Sequence, residues 1–466
     1  MRIEKISGIF IFLFLIISSC YAQSDSVIFT YSEYLENITQ FHPLSKKANL
    51  QTEFAKAEWK VAKGNLDPML TSDWTEKDFK DKLYYRQYET KLKIPTQLGI
   101  DIVGGYQNTD GVFLNPENNT SEFGIWNLGL EVNVLQGLWV NERKTALKQA
   151  KIFQSLAENK KQIMLNELFY NASLAYLKWQ QYYYYQQTLS NNISIANTYF
   201  ENTKESYKAG EKTAMDTLEA FISYQDTRIL FQKNEVDFVK IKQNVTNYLW
   251  YDDIPISLQE NTKPQGLEER FFEFNPDSLT ADLVLTNPLV LASVNKKAYL
   301  EAEQKLKREK LKPKLKVKYN ALLATSKTNI SPSYAASDFK WGFGFSMPLF
   351  LRTERGNVQK GKIKIQEVTL DIENKRNELQ NKLAASLAKQ TILRQQLTLL
   401  TQNVEGYRVL LEGENEKFRY GESSVFLLNK RQEKYINGQL KLIELSIKLQ
   451  IELLNYLYYS NTLITN

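Results

Sequence analysis

The chain contains one plan written twice. HPLSKKANLQTEFAKAEWKVAKGNLDPML (42–70) lies without a gap on NPLVLASVNKKAYLEAEQKLKREKLKPKL (287–315). Pro43 falls on Pro288, Leu44 on Leu289, Ala57-Glu58 on Ala302-Glu303 and Pro68 on Pro313, all at an offset of 245. Farther on, YKAGEKTAMDTL (207–218) lies on FRYGESSVFLLN (418–429) at an offset of 211, and Glu142-Arg143 on Glu354-Arg355 at 212. A duplicated chain has to be read as two copies of one supersecondary unit before anything else is assigned. The fall in offset from 245 to 212 requires an insertion of about 33 residues in the first copy, between residues 70 and 142.

Each copy has the same order of elements. A helix of about 30 residues (33–65 and 285–311) runs up to a proline, which cannot continue it. Segments of two-residue alternation follow. In 314–322, Leu315, Val317, Tyr319 and Ala321 alternate with Lys314, Lys316, Lys318 and Asn320. In 339–346, Phe339, Trp341, Phe343 and Phe345 alternate with Lys340, Gly342, Gly344 and Ser346; in 126–134, Trp126, Leu128, Leu130, Val132 and Val134 alternate with polar residues or glycine. Each reads as a strand with an apolar, aromatic-rich face and a polar or small one. A small soluble β-domain and a membrane barrel both fit such strands. The strands come in pairs between very long helices, with no second sheet to pack on, and nine or ten residues suit a barrel closed by several pooled chains.

The remainder of each copy is helical. Helices are expected over 139–206 and 355–417, with return helices over 214–250 and 423–460. At about 1.5 Å per residue a helix of this kind is on the order of 100 Å long. Leu393, Leu397, Leu400, Val404, Tyr407 and Leu411 recur at steps of four and three, while Leu428, Tyr435, Leu442, Leu449 and Tyr456 recur every seven. Such seams pack as antiparallel coiled coils. The seam breaks at Gly421 in FRYGESS, and its twin breaks at Gly210. Glycine supplies the left-handed backbone of a tight reversal.

Chemistry is hard to find. The 466 residues include one histidine and one cysteine. His42 reads as a local cap or packing residue, and without partners no nucleophilic or metal site can be assembled. No phosphate-binding loop is present, since the Gly342–Gly344 pair sits inside a strand. The net charge of +6 comes from 59 basic and 53 acidic residues spread along the chain, so no polybasic patch marks a nucleic-acid surface. The expectation is a non-enzyme with no cofactor. The N-terminus, MRIEKISGIFIFLFLIISSCYAQ, is an export signal: Arg2 and Lys5, a short apolar core, then small residues. Two processing readings stay open: a lipobox, ISSC, leaving Cys20 lipid-bearing, or cleavage after Ala22. A single cysteine forms no internal disulfide. After the signal no apolar run reaches the roughly 20 residues of a spanning helix.

The tandem order of helix, strands, long helix, turn and return helix resembles the TolC family of outer-membrane efflux proteins over about 30–460. Tyr207-Lys-Ala-Gly210, Phe418-Arg-Tyr-Gly421, the paired prolines and LQGLWVNERKTALKQA (135–150) carry the likeness. The resemblance implies a mainly α fold with membrane β: tandem long α-helical hairpins forming a trimeric α-barrel, plus an outer-membrane β-barrel of pooled strands. It implies a homotrimer in the outer membrane of a Gram-negative bacterium, in contact with outer-membrane lipid. That trimer would conduct what an inner-membrane pump delivers through a periplasmic adaptor. An exported coiled-coil adaptor or structural tether is the alternative; the duplication counts against it.

Under this resemblance the domains are a signal peptide (1–22, or 1–19 if Cys20 is lipidated), repeat one (23–250), a polar equatorial linker (251–284), repeat two (285–460) and a tail (461–466). The turns become periplasmic tips, with Tyr207, Gly210, Glu211, Lys212, Phe418, Gly421, Glu422 and Ser423 as docking residues. Glu211 and Glu422 are expected to open the return helices, where negative charge is favoured. Family members place acids beyond the tip, around an aperture. Asp216 and Glu219 fit that pattern, but Leu427 and Lys430 occupy the matching positions of repeat two and open a Glu219–Lys430 contact between hairpins. A second departure is the insertion. Where two strands per repeat are usual, repeat one offers a further hairpin over 84–94 and 98–107, to join the barrel or cap it.

Overall fold

The computed structural model describes residues 27–269, 271–272, 281–326 and 329–463. Residues 1–26, on which the expected export signal and Cys20 fall, lie outside the described residues. The chain divides into a strand-bearing unit, residues 47–165 and 279–381, and a helical unit, residues 1–46, 166–278 and 382–466.

In the strand-bearing unit the repeat produces one antiparallel sheet. Repeat one supplies β2 (Met69–Asp78), β3 (Leu83–Pro95), β4 (Ile100–Asp110) and β5 (Ile125–Asn133); repeat two supplies β9 (Lys314–Ser326) and β10 (Asn329–Ser346). Their order across the sheet is β10-β9-β5-β4-β3-β2. The inserted hairpin therefore joins the sheet as β3 and β4. A fourth repeat-one strand, β2, precedes it, in a stretch where MLTSDWTEKD gives only a broken apolar alternation. The β2–β3 turn places Lys80 and Asp81 at positive φ (56° and 57°), and Phe79 N–H donates to the Lys82 carbonyl at 3.0 Å. This is the backbone sense that matches strand twist in a two-residue hairpin.

Both first helices differ from the single rods expected. Repeat one has α1 (Tyr31–Phe41) and α2 (Pro43–Gly64), broken at His42; repeat two has α5 (Ala281–Leu285) and α6 (Pro288–Glu309). The reason is shared. Pro43 and Pro288 lack the N–H that a continuing helix needs, and proline is accommodated at a helix start. Thr30 caps α1 reciprocally with Glu33.

The long helices are α3 (Glu142–Lys208) and α7 (Arg352–Arg419), and the return helices are α4 (Ala214–Thr246) and α8 (Val425–Ser460). Within the helical unit the buried row of α8 includes Leu428, Gln432, Ile436, Ile443, Ile447 and Leu454, with Leu449 and Tyr456 of the seven-residue series also buried. Tyr435 and Leu442, from the expected seven-residue series, are only half-buried. A seam advances by alternating short steps, so one seven-residue series traces just part of it. The α4 seam is small and polar: Ala220, Thr227 and Asn234, seven apart, are all buried. Tyr31, Tyr34, Tyr176, Trp179 and Phe272 are buried in the same unit, and Tyr31 packs edge-on to Tyr176 with ring centroids 5.5 Å apart. The Tyr31 hydroxyl lies 2.6 Å from Ser173 Oγ. In the linker β6 (Trp250–Tyr251) pairs β7 (Ile254–Pro255), and β8 (Lys263–Pro264) lies parallel to β1 (Ile28–Phe29).

Candidate functional site

The two turns are built alike, atom for atom in their backbone bonds. At the end of α3, Gly210 N–H donates to the Tyr207 carbonyl (3.0 Å) and Glu211 N–H to the Ser206 carbonyl (2.9 Å). At the end of α7, Gly421 N–H donates to the Phe418 carbonyl (3.2 Å) and Glu422 N–H to the Lys417 carbonyl (2.9 Å). These paired bonds satisfy helix-terminal carbonyls and require a left-handed residue. Gly210 (φ 82°) and Gly421 (φ 77°) supply it. A Cβ on either would meet nothing within 4 Å, so conformation rather than space selects glycine.

Glu211 and Glu422 consequently do not open the return helices. They belong to the C-terminal motif of the outgoing helix, and the N-caps are Thr213 and Ser424. Thr213 is half of a capping box. Its hydroxyl accepts from Asp216 N–H (3.1 Å), while the Asp216 carboxylate accepts from Thr213 N–H (3.0 Å). The Thr213 hydroxyl, then its N–H, hold the Asp216 carboxyl below the usual range. In repeat two Ser424 accepts from Leu427 N–H at 3.3 Å, and leucine returns no bond.

Side chains tie the two turns together. Lys212 Nζ sits 4.4 Å from the centre of the Phe418 ring. Asn429 Nδ2 donates to the Glu219 carbonyl at 3.3 Å. The expected Glu219–Lys430 contact does not form; Lys430 pairs with Glu433, one turn away on its own helix, at 2.7 Å. Ser423 Oγ donates to Glu414 Oε1 at 2.5 Å, and Arg431 stands 3.6 Å from the same carboxylate. The Ser423 bond, with the Arg431 charge behind it, holds Glu414 below the ordinary carboxylate range. Glu414, Arg431 and Asn429 gave no signal in sequence, because their partners are set by the reversal. Tyr420 is 83% exposed and Met215 74%, and Tyr207, Phe426 and Leu427 are also exposed. Ile222, Ile229, Phe426 and Ile436 line a groove between α4 and α8. Gln432 lies buried against it with neither amide atom hydrogen-bonded.

The sheet has two contrasting faces. Directly paired residues share a face, so register assigns them. One face carries Leu70, Leu92, Ile102, Leu130, Tyr319 and Trp341 across the six strands, all exposed. On it Trp74, Tyr88, Tyr106 and Trp126 form a row across β2 to β5, with successive ring centroids 6.0, 6.2 and 5.0 Å apart. The opposite face carries an ionic cluster. Asp101 accepts Arg143 at 2.5 Å and Lys93 at 2.9 Å. Glu131 accepts Lys316 at 2.6 Å, with Lys93 at 3.5 Å and Lys318 at 3.6 Å. The two carboxylates are buried beneath their four bases. Among the described residues no helix is long and apolar enough to cross a membrane.

No protein-family model matches the chain, and no curated protein is similar to it. Solved structures are. The Campylobacter jejuni CmeC outer membrane channel superposes with a TM-score of 0.67 at 12% identity, over 92% of this chain and 85% of that one. The Vibrio cholerae outer membrane protein VceC gives 0.65 at 12% identity, over 92% and 95%. The Neisseria gonorrhoeae MtrE outer membrane channel gives 0.62 at 14% identity, over 92% and 88%. The chain has the fold of these outer-membrane channels, and the family likeness read from the duplicated turns is borne out at that level.

Proposed function

We propose that the protein is a passive outer-membrane channel, the exit duct of an export system. One observation carries the reading: one face of a six-stranded sheet bears an exposed band of apolar residues bordered by a row of aromatic rings, and the other face bears a buried ionic cluster. Lipid outside and water inside is the environment such a sheet requires. A single copy does not close it, because β2 and β10 each keep an edge unpaired among the described residues, and unpaired backbone groups are not tolerated in hydrocarbon. Several copies pooling their sheets would remove both edges, and the likeness to channels favours three. The fold shared with outer-membrane channels supports the same assignment.

The turns are the proposed docking points for a periplasmic adaptor coupled to an inner-membrane pump. Exposed Tyr420, Met215 and Phe426 supply apolar contact area around the two reversals. Asp216 and Glu219, with Leu427 and Lys430 in the second copy, remain the proposed aperture positions. Lys212 and Ser423 are engaged in internal contacts. Crosslinking from a cysteine at Tyr420 therefore disturbs the turn least.

The deciding test is extraction of the membrane-inserted protein with detergent. The expected product migrates with the mass of three chains before boiling and one after, and raises the ion conductance of a planar bilayer. A monomer released by osmotic shock would overturn the channel reading.

A further inference from the structure

The inserted hairpin of repeat one is not appended to the sheet. Strands β3 and β4 lie between β2 and β5, separating the two strands that would otherwise be neighbours. Pairing is continuous on both sides of the insertion: Met69↔Lys93 through Lys77↔Tyr85 between β2 and β3, and Ile100↔Val132 through Gln107↔Ile125 between β4 and β5. A hairpin lying over the barrel mouth would break those ladders.

Both faces also run through it. The aromatic row Trp74, Tyr88, Tyr106 and Trp126 takes its middle two rings from β3 and β4. Aromatic residues collect where a membrane barrel meets the headgroups, so the four strands cross that boundary at one level. On the apolar side of the row, Leu70 pairs Leu92, Ile94 pairs Ile102 and Ile102 pairs Leu130. From Trp126 to Val134 is eight residues, about 26 Å along the chain at roughly 3.3 Å per residue, and at a tilt of about 40° this covers about 20 Å of the roughly 25 Å apolar band of an outer-membrane barrel. The ionic cluster likewise recruits Lys93 from β3 and Asp101 from β4 to meet Glu131 of β5.

We infer that β3 and β4 are membrane wall, and that three copies joined β10 to β2 close a ring of eighteen strands rather than twelve. The inference rests on the channel reading and extends it to the size of the pore. Six is even, so β2 and β10 run in opposite directions and successive copies meet antiparallel, as their own strands do. With strands about 4.8 Å apart and tilted about 40°, eighteen give a backbone diameter of about 36 Å, where twelve give about 24 Å. The cross-section then roughly doubles, which suits cargo bulkier than a twelve-strand mouth admits.

The test is electron cryo-microscopy of the detergent-extracted full-length assembly, counting strands around the ring. Eighteen is expected; a twelve-strand wall with residues 83–110 outside it overturns the inference. A companion variant excises residues 83–124, so that the Phe79–Lys82 turn leads directly into Ile125. Its ring should fall to twelve strands, and polymers added from the barrel side should be excluded at a smaller size. An unchanged exclusion limit in a correctly inserted variant counts against the inference. Should the variant not fold, the strand count of the intact protein decides alone. A full-length protein that forms no ring would sink the channel reading itself, which is a separate outcome.

Discussion

Gly210 and Gly421 are placed by backbone conformation alone. Alanine at either position keeps the space but loses the left-handed geometry at a cost of about 1 kcal/mol, whereas asparagine tolerates it better. The expected order of thermal midpoints is glycine above asparagine above alanine at both turns; indifference to all three would show that the reversals are not strained by a side chain. His42 Nδ1 accepts from Leu44 N–H at 3.1 Å, and its ring stacks on Tyr248 with centroids 5.8 Å apart. Burial lowers its pKa from 6.5, outweighing the bond to the Asn247 backbone. The unfolded chain then binds the proton more readily. Its stabilising contribution is whole above about pH 6.5 and declines as the solution is acidified. The wild type should lose melting temperature between about pH 7 and pH 5.5 more steeply than His42→Gln, since no other histidine titrates there. Parallel pH profiles would refute this. The packing role of His42 was legible in sequence from its isolation before a proline; its stacking partner was not.

At the scale of elements, the two return helices begin with different caps, and this separates two readings of the tip acids. Asp216 spends its carboxylate on the Thr213 capping box, whereas Glu219 lies beyond the first turn of α4. Asp216→Ala should destabilise the tip by about 1 kcal/mol through the cap alone. Glu219→Ala should leave stability within about 0.5 kcal/mol, as surface substitutions do. If Glu219 belongs to an aperture, its variant should change single-channel conductance without moving the melting curve. Equal effects of both variants on stability would remove the distinction. The long helices and the doubled turn were readable because periodicity and a glycine break are local, whereas the breaks at Pro43 and Pro288 and the caps Thr213 and Ser424 were not assigned from sequence. Lys430 shows the complement. Its ion pair went to Glu433 rather than Glu219, because a neighbour on the same helix needs no tertiary arrangement to be within reach.

For the whole molecule, a lone chain carries a liability: a long sheet with two open edges and an apolar face. Assembly and folding should therefore be coupled. Thermal unfolding in detergent should shift to higher temperature as protein concentration rises, and dissociation should coincide with loss of strand structure. A concentration-independent midpoint, or a folded monomer that persists after dissociation, would refute that coupling. The sequence by itself determined the duplication, the long hairpins, the glycine reversals and the two-faced character of the strands. Each of these is written in neighbouring residues or in spacing along the chain. Only the tertiary structure decided that β3 and β4 stand between β2 and β5, that β5 pairs β9 across the repeats, and that Asp101 and Glu131 gather four bases. A period of two tells which face a side chain occupies but not which strand lies beside it, because strand pairing is a contact between residues far apart in the chain.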